Sequence, residues 1–192
     1  MGDEIMEDKL NFTVEMITEC FRRGNRLLVC GNGGSAADSA HITGEFVKGF
    51  LKKRPLPMEL QEKIGFEWAG KLQQGLCCID LTANPGAISA TANDISGESV
   101  YAQEVLAYGG EGDIIIGIST SGNAENVCRA LIVAKALGMK TIGMTGATGG
   151  RMASLCDILL NVPETETYKV QELHLPLYHQ ICARVEATLF EK

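Results

Sequence analysis

Arg26-Leu27-Leu28-Val29-Cys30-Gly31-Asn32-Gly33-Gly34-Ser35 is the stretch on which the architecture turns. A short apolar run stops at a glycine-rich turn, and a helical pattern follows from about Ser35 to Lys48. The same punctuation returns four times. Residues 76–81 run into Thr82-Ala83-Asn84-Pro85-Gly86, then helical stretches at about 86–92 and 98–108. Residues 113–118 run into Ser119-Thr120-Ser121-Gly122-Asn123, then a helix through Ala136. Residues 140–144 precede Thr145-Gly146 and a short helix near 150–155, and residues 157–162 precede a long helix from about Thr167. Upstream, Ile5, Leu10, Val14, Ile17 and Phe21 recur at helical spacing over 4–23.

Five short apolar runs alternating with helices predict a parallel sheet covered on both faces. The expected architecture is a three-layer α/β sandwich of flavodoxin-like or Rossmann-like type, with right-handed crossovers. Residues 1–192 read as one domain, interrupted at about 49–75 by a helical insertion in which Leu60, Ile64, Trp68 and Leu72 share a helical period. A lid, an oligomer contact and a plain surface loop are all open readings of that insertion. Every glycine- or serine-rich loop follows a strand, so all lie on the sheet edge where ligands of such folds bind.

Composition narrows the partners. The chain is 45% hydrophobic and 21% charged, with a net charge of −7, which argues against a nucleic-acid backbone as partner. No run is long enough to cross a membrane, and the first residues lack the basic and apolar regions of a signal peptide. Seven cysteines make an odd count without any C-x-x-C pair, and Cys30, Cys77 and Cys78 lie in apolar runs as small core residues. A reducing cytoplasm follows as the expected compartment. Lys52-Lys53-Arg54 reads as a solvated loop.

An acidic chain that binds an anion must use backbone donors and helix dipoles. Ser119, Thr120 and Ser121 offer three hydroxyls before a helix N-terminus, more than one N-cap requires. Asn32, Gly33, Gly34 and Ser35 form a second candidate anion loop. Gly31 to Ala36 also fits G-x-G-x-x-A, but Leu51-Lys52-Lys53-Arg54-Pro55 stands where a dinucleotide site wants a strand and a carboxylate. Nicotinamide dinucleotide binding is therefore disfavoured.

The chemistry-bearing side chains are few. His41 precedes Glu45 by four residues and shares its helix face, which suits a metal or a proton path as well as a surface pair. Gln171 and His179 are eight residues apart, about 80° around a helix at 100° per residue, so both can face one cleft. His174 lies about 140° from His179 on the same reckoning and reads as a packing or surface residue. Pro176 lies between them, where an interior proline frees a carbonyl. Two anion loops with a carboxylate and an imidazole suit aldose–ketose isomerisation, which needs a base, an acid and a means to polarise a carbonyl.

Cys30-Gly31-Asn32-Gly33-Gly34-Ser35, His41-x-x-x-Glu45, Ala92-Asn93-Asp94, Gly117 to Asn123 and Val170-Gln171-Glu172-Leu173-His174 together resemble the sugar isomerase (SIS) domain family, within it the bacterial phosphoheptose isomerases. The resemblance implies interconversion of sedoheptulose 7-phosphate with a heptose 7-phosphate, and a homotetramer with sites between subunits. It implies zinc held by His41, Glu45, Gln171 and His179, with Glu45 as base and His179 as acid. It places Asn32, Gly33, Gly34, Ser35, Glu45, Asn93, Asp94, Ser119, Thr120, Ser121 and Gln171 on the sugar phosphate. Ala124 stands where the family often has serine, and Lys48 near where it usually has arginine. A non-catalytic SIS domain that senses a sugar phosphate is the rival reading; such members lack the Glu or the last His, and both are present here.

Overall fold

The computed structural model describes residues 2–190; Met1, Glu191 and Lys192 lie outside the described residues. Helix α1 spans Gly2–Arg22 and leads into β1, Leu27–Gly31. Then follow α2 (Gly34–Val47), α3 (Met58–Ile64), α4 (Phe66–Ala69) and β2 (Cys78–Asp80). The next are α5 (Pro85–Asp94), α6 (Val100–Tyr108), β3 (Ile114–Ser119) and α7 (Glu125–Ala136). Strands β4 (Lys140–Thr145) and β5 (Ile158–Asn161) precede the long α8, Thr167–Phe190.

The five strands form one parallel sheet in the order β2-β1-β3-β4-β5. Its central strand shows why both faces are covered. Ile114, Ile116 and Ile118 face one side with α1, α2 and α8, while Ile115 faces the other with α6 and α7. Leu27 and Val29 of β1 follow the first face, Leu28 and Cys30 the second. Strand order reverses between β1 and β3, so the loops after those two strands flank the crevice.

Two expectations need correction. The second strand is only Cys78–Asp80, and Cys77 just before it is exposed, so it is no core residue. The 52–54 cluster is no solvated loop, since Arg54 has 0% exposure. Its guanidinium lies 2.8 Å from the equally buried Glu186 of α8, and burying that charge is tolerable because each of its three nitrogens finds an acceptor. Nothing local in Lys52-Lys53-Arg54 distinguishes the buried member, because its partner lies 132 residues away. Pro176 is interior to α8, as expected, and the helix runs unbroken through it with the proline on its exposed side.

Burial alone would raise Glu186, yet N–H donors from Phe50 and Leu51 and the Arg54 guanidinium overcome it and hold the carboxyl below its ordinary value. A depressed carboxylate contributes stability present above its unfolded value and lost as pH falls through the folded one. Arg54→Met should strand this carboxylate and cost about 3–5 kcal/mol in urea unfolding at pH 7. The penalty should shrink in acid. Arg184→Ala, which removes a surface pair with Glu7, should move the urea midpoint far less. Equal losses from the two variants would contradict this reading of the buried pair.

Candidate functional site

The cleft at the switch point is built from helix beginnings. A cavity of about 210 Å³ is lined by Asn32 and Ser35 at the start of α2, Ser119 to Ser121 and Ala124 at the start of α7, and Thr167 and Gln171 at the start of α8. Neither α2 nor α7 has a side-chain cap hydrogen bond. Ser35 N and Ala36 N of α2 donate within the turn, to Asn32 O and Gly33 O, so what both helices offer an anion is the positive end of their dipoles, despite the chain's net charge of −7. The N-cap of α7 is Ala124, and the serines brace the loop instead: Ser119 Oγ accepts from Ala124 N at 3.4 Å and Ser121 Oγ from Asn123 N at 3.2 Å, each hydroxyl keeping its own O–H to donate. Ala124 is thus a wall of the cleft, without the hydroxyl a serine would add.

The first loop is shaped by its glycines. Gly33 has φ 57° and ψ −119°, which only glycine adopts without strain. Gly34 lets α8 close in: a Cβ there would stand 2.7 Å from Gln171 Cδ. Asn32 is held by two groups that sequence reading missed. Its side-chain amide pairs reciprocally with that of Asn126, both bonds at 2.9 Å. Tyr101 Oη donates to Gly31 O at 2.5 Å and to Asn32 Oδ1 at 3.3 Å.

Seven residues along α2 from Gly34, a second group assembles. His41 Nε2 lies 3.3 Å from Glu45 Oε1, as the i, i+4 spacing requires. The His41 and His179 rings meet edge to face, centroids 5.0 Å apart. His179 Nε2 is buried without a hydrogen-bond partner. Lys48 Nζ reaches Glu45 Oε2 at 3.4 Å and so neighbours the carboxylate rather than the anion cleft. Tyr178 and Asp38 support His41: Tyr178 Oη is 2.9 Å from His41 Nδ1 and donates to Asp38 at 3.4 Å. The Tyr178 contact, the shorter of the two, fixes the His41 ring with Nε2 facing Glu45.

This bears on a metal. Among the described residues, no cluster of three or more His, Cys, Asp or Glu side chains is gathered tightly enough to hold an ion. The donor chemistry nevertheless fits zinc: the Glu45 carboxylate and two imidazoles, one of them His179 with its orphaned Nε2. Gln171 lines the anion cleft, about 12 Å of helix rise from His179. Asn93 and Asp94 end α5, bond to each other at 2.7 Å and are exposed; neither lines the cleft. His174 is fully buried against Thr145 O at 3.3 Å, a packing residue.

Residues 3–146 match the SIS domain family. This chain belongs to that family. Relatives include the phosphoheptose isomerase of Crocosphaera subtropica, 44% identical over 95% of this chain and 84% of that one. That of Aneurinibacillus thermoaerophilus is 42% identical over 99% and 86%. The solved phosphoheptose isomerase of Neisseria gonorrhoeae superposes with a TM-score of 0.80 at 32% identity, covering 96% of this SIS chain and 89% of its own.

Helix α6 of this SIS chain buries one acid without a partner. Glu104 is 3% exposed, with neither carboxylate oxygen partnered. Burial first, then the Asp80 carboxylate, push it up from 4.5 to about 7. An acid raised on folding gives stability fully present below its unfolded value and lost as pH rises toward the folded one. Glu104→Gln should therefore raise Tm at pH 8, with the gain vanishing near pH 4.5. A gain of equal size at both pH values, read by circular dichroism, would contradict the assignment.

Proposed function

We propose that this protein is a sugar-phosphate isomerase that interconverts sedoheptulose 7-phosphate and D-glycero-D-manno-heptose 7-phosphate. Two kinds of support meet here: relatives of near-full length bearing the name phosphoheptose isomerase, and the layout of α2 beside α8. The observation that carries the reading is that layout. One end of the helix pair opens on an anion cleft, and His41, Glu45 and His179 meet farther along. From Gly34 to His41 the rise is about 10 Å, a span that a phosphorylated chain of six or seven carbons bridges better than a triose does.

In this reading the phosphate sits among Asn32, Gly33, Gly34, Ser35, Ser119, Thr120 and Ser121, anchoring the sugar so that its first two carbons lie against Glu45 and His179. Glu45 takes a proton from C1 of the ketose as His179 gives one to the oxygen on C2, which yields the enediol. Glu45 then returns its proton to C2, and His179 recovers one from the oxygen on C1. Atoms and electrons balance without a redox partner, and both residues end as they began. His41, Glu45 and His179 would hold zinc, with Gln171 extending along α8 from the cleft as the fourth ligand that the family resemblance implies; when bound, the metal supplies a Lewis acid to polarise the carbonyl. Asn93 and Asp94 would join the site from α5, and the chain would act as one domain over 1–192.

Self-association as a homotetramer is part of the reading. Phe12 of α1 and Met58, Phe66 and Trp68 of the insertion are exposed, Phe66 by 60% and Trp68 by 64%. A cytoplasmic setting is supported by seven free cysteines; among the described residues, no helix is long and apolar enough to cross a membrane.

Purified zinc-loaded protein should convert sedoheptulose 7-phosphate to the aldose, and Glu45→Gln should lower kcat by at least about 100-fold. Chelation should abolish turnover, and zinc should restore it. Tight binding of the sugar phosphate without turnover by zinc-loaded wild type would instead favour the non-catalytic sensor.

A further inference from the structure

Arg54 and Glu186 lie outside the cleft, yet between them they hold the backbone beside both proton-transfer residues. Glu186 sits two turns beyond His179 on the same face of α8. Its Oε1 accepts from Phe50 N at 2.8 Å and from Arg54 Nε at 2.8 Å. Its Oε2 accepts from Leu51 N at 2.7 Å and Lys52 N at 3.0 Å. Arg54 then donates through Nη1 to Phe46 O at 2.8 Å and through Nη2 to Glu45 O at 3.2 Å. Those carbonyls belong to the last turn of α2, where no intrahelical N–H remains to meet them. Phe50, fixed by Glu186, lays its ring on His179 with centroids 5.4 Å apart.

We propose that the Arg54–Glu186 pair is a positioning device for the proton-transfer step, fixing Glu45 through the end of α2 and His179 through Phe50. The proposal rests on the reading of Glu45 as base and His179 as acid. Its physical logic is orientation. A buried ion pair adds little stability over an apolar pair of the same volume, so retaining one here calls for another benefit. A guanidinium supplies that benefit, because its planar fork reaches three acceptors in fixed directions. The carboxylate does the same for a run of three successive N–H groups. The end of α2, the turn at 50–52 and α8 are thereby locked to one another, and small displacements of reacting groups are costly to rate.

The test is steady-state kinetics on sedoheptulose 7-phosphate, with folding checked by circular dichroism at the assay temperature. Arg54→Lys keeps the charge but not the fork. The double variant Arg54→Met with Glu186→Gln removes both charges, so that neither is left stranded. We expect kcat to fall about 10- to 100-fold in the folded double variant, with KM changed by no more than about threefold. Arg54→Lys should fall in between. Wild-type kcat in either folded variant, or a loss confined to KM or to Tm, would overturn the proposal. Glu45→Gln separates the two layers. If it stays active, the proton-transfer reading fails and takes this proposal with it. If it is inactive while the double variant turns over normally, only the positioning role fails.

Discussion

The parallel docking of α2 against α8 is the contact on which everything else depends. It has three rungs. At the first, Gly34 lets the Gln171 side chain approach so closely that any Cβ would collide with it. At the second, His41 meets Tyr178 and His179. At the third, Arg54 ties the carbonyls at the end of α2 to Glu186. Each rung is a different kind of interaction: steric at one end, aromatic and hydrogen-bonded in the middle, ionic at the far end. Together they fix both the separation and the register of the helices. Anion-binding groups and proton-transfer groups are then held at a set distance along one groove.

The electrostatics follow from this arrangement. In a chain with net charge −7, none of the residues lining the cleft is a lysine or arginine. The cleft gathers helix N-termini, whose partial charges point inward wherever the bulk charge lies. The carboxylates that are buried have distinct treatments. Glu186 accepts four donors and is held ionised, whereas Glu104 has none and is pushed toward the neutral form. One fold thus keeps a buried anion as a clasp and a buried acid as a latent pH dependence.

Much of this was legible in the sequence because the signals are local. Strand β1, its glycine turn and α2 are written in consecutive residues, and the alternation repeats through β3 and β4 with little error. His41 and Glu45 were readable as a pair because helix geometry alone brings them together. The missed features depend on distance along the chain. Arg54 looks like its neighbour Lys53 until Glu186 is folded against it, and Tyr178 gains meaning only beside His41. Asn126 joins Asn32 across 94 residues. Cys77 failed for the opposite reason: its apolar neighbourhood resembles a strand, but pairing begins one residue later, at Cys78. Gln171 and His179 do lie along one helix as spacing demanded, though at different rungs of the groove.

The central claim is that one groove holds the phosphate at its first rung and the reacting carbons at its second. A crystal structure of the zinc-loaded protein with a bound sugar phosphate tests this most directly. The account predicts phosphate oxygens on the backbone N–H groups of the α2 and α7 N-termini and the hydroxyls of Ser119 to Ser121. The first two sugar carbons should lie within reach of Glu45 and His179. A phosphate bound away from those helix ends, or sugar carbons remote from both side chains, would contradict it.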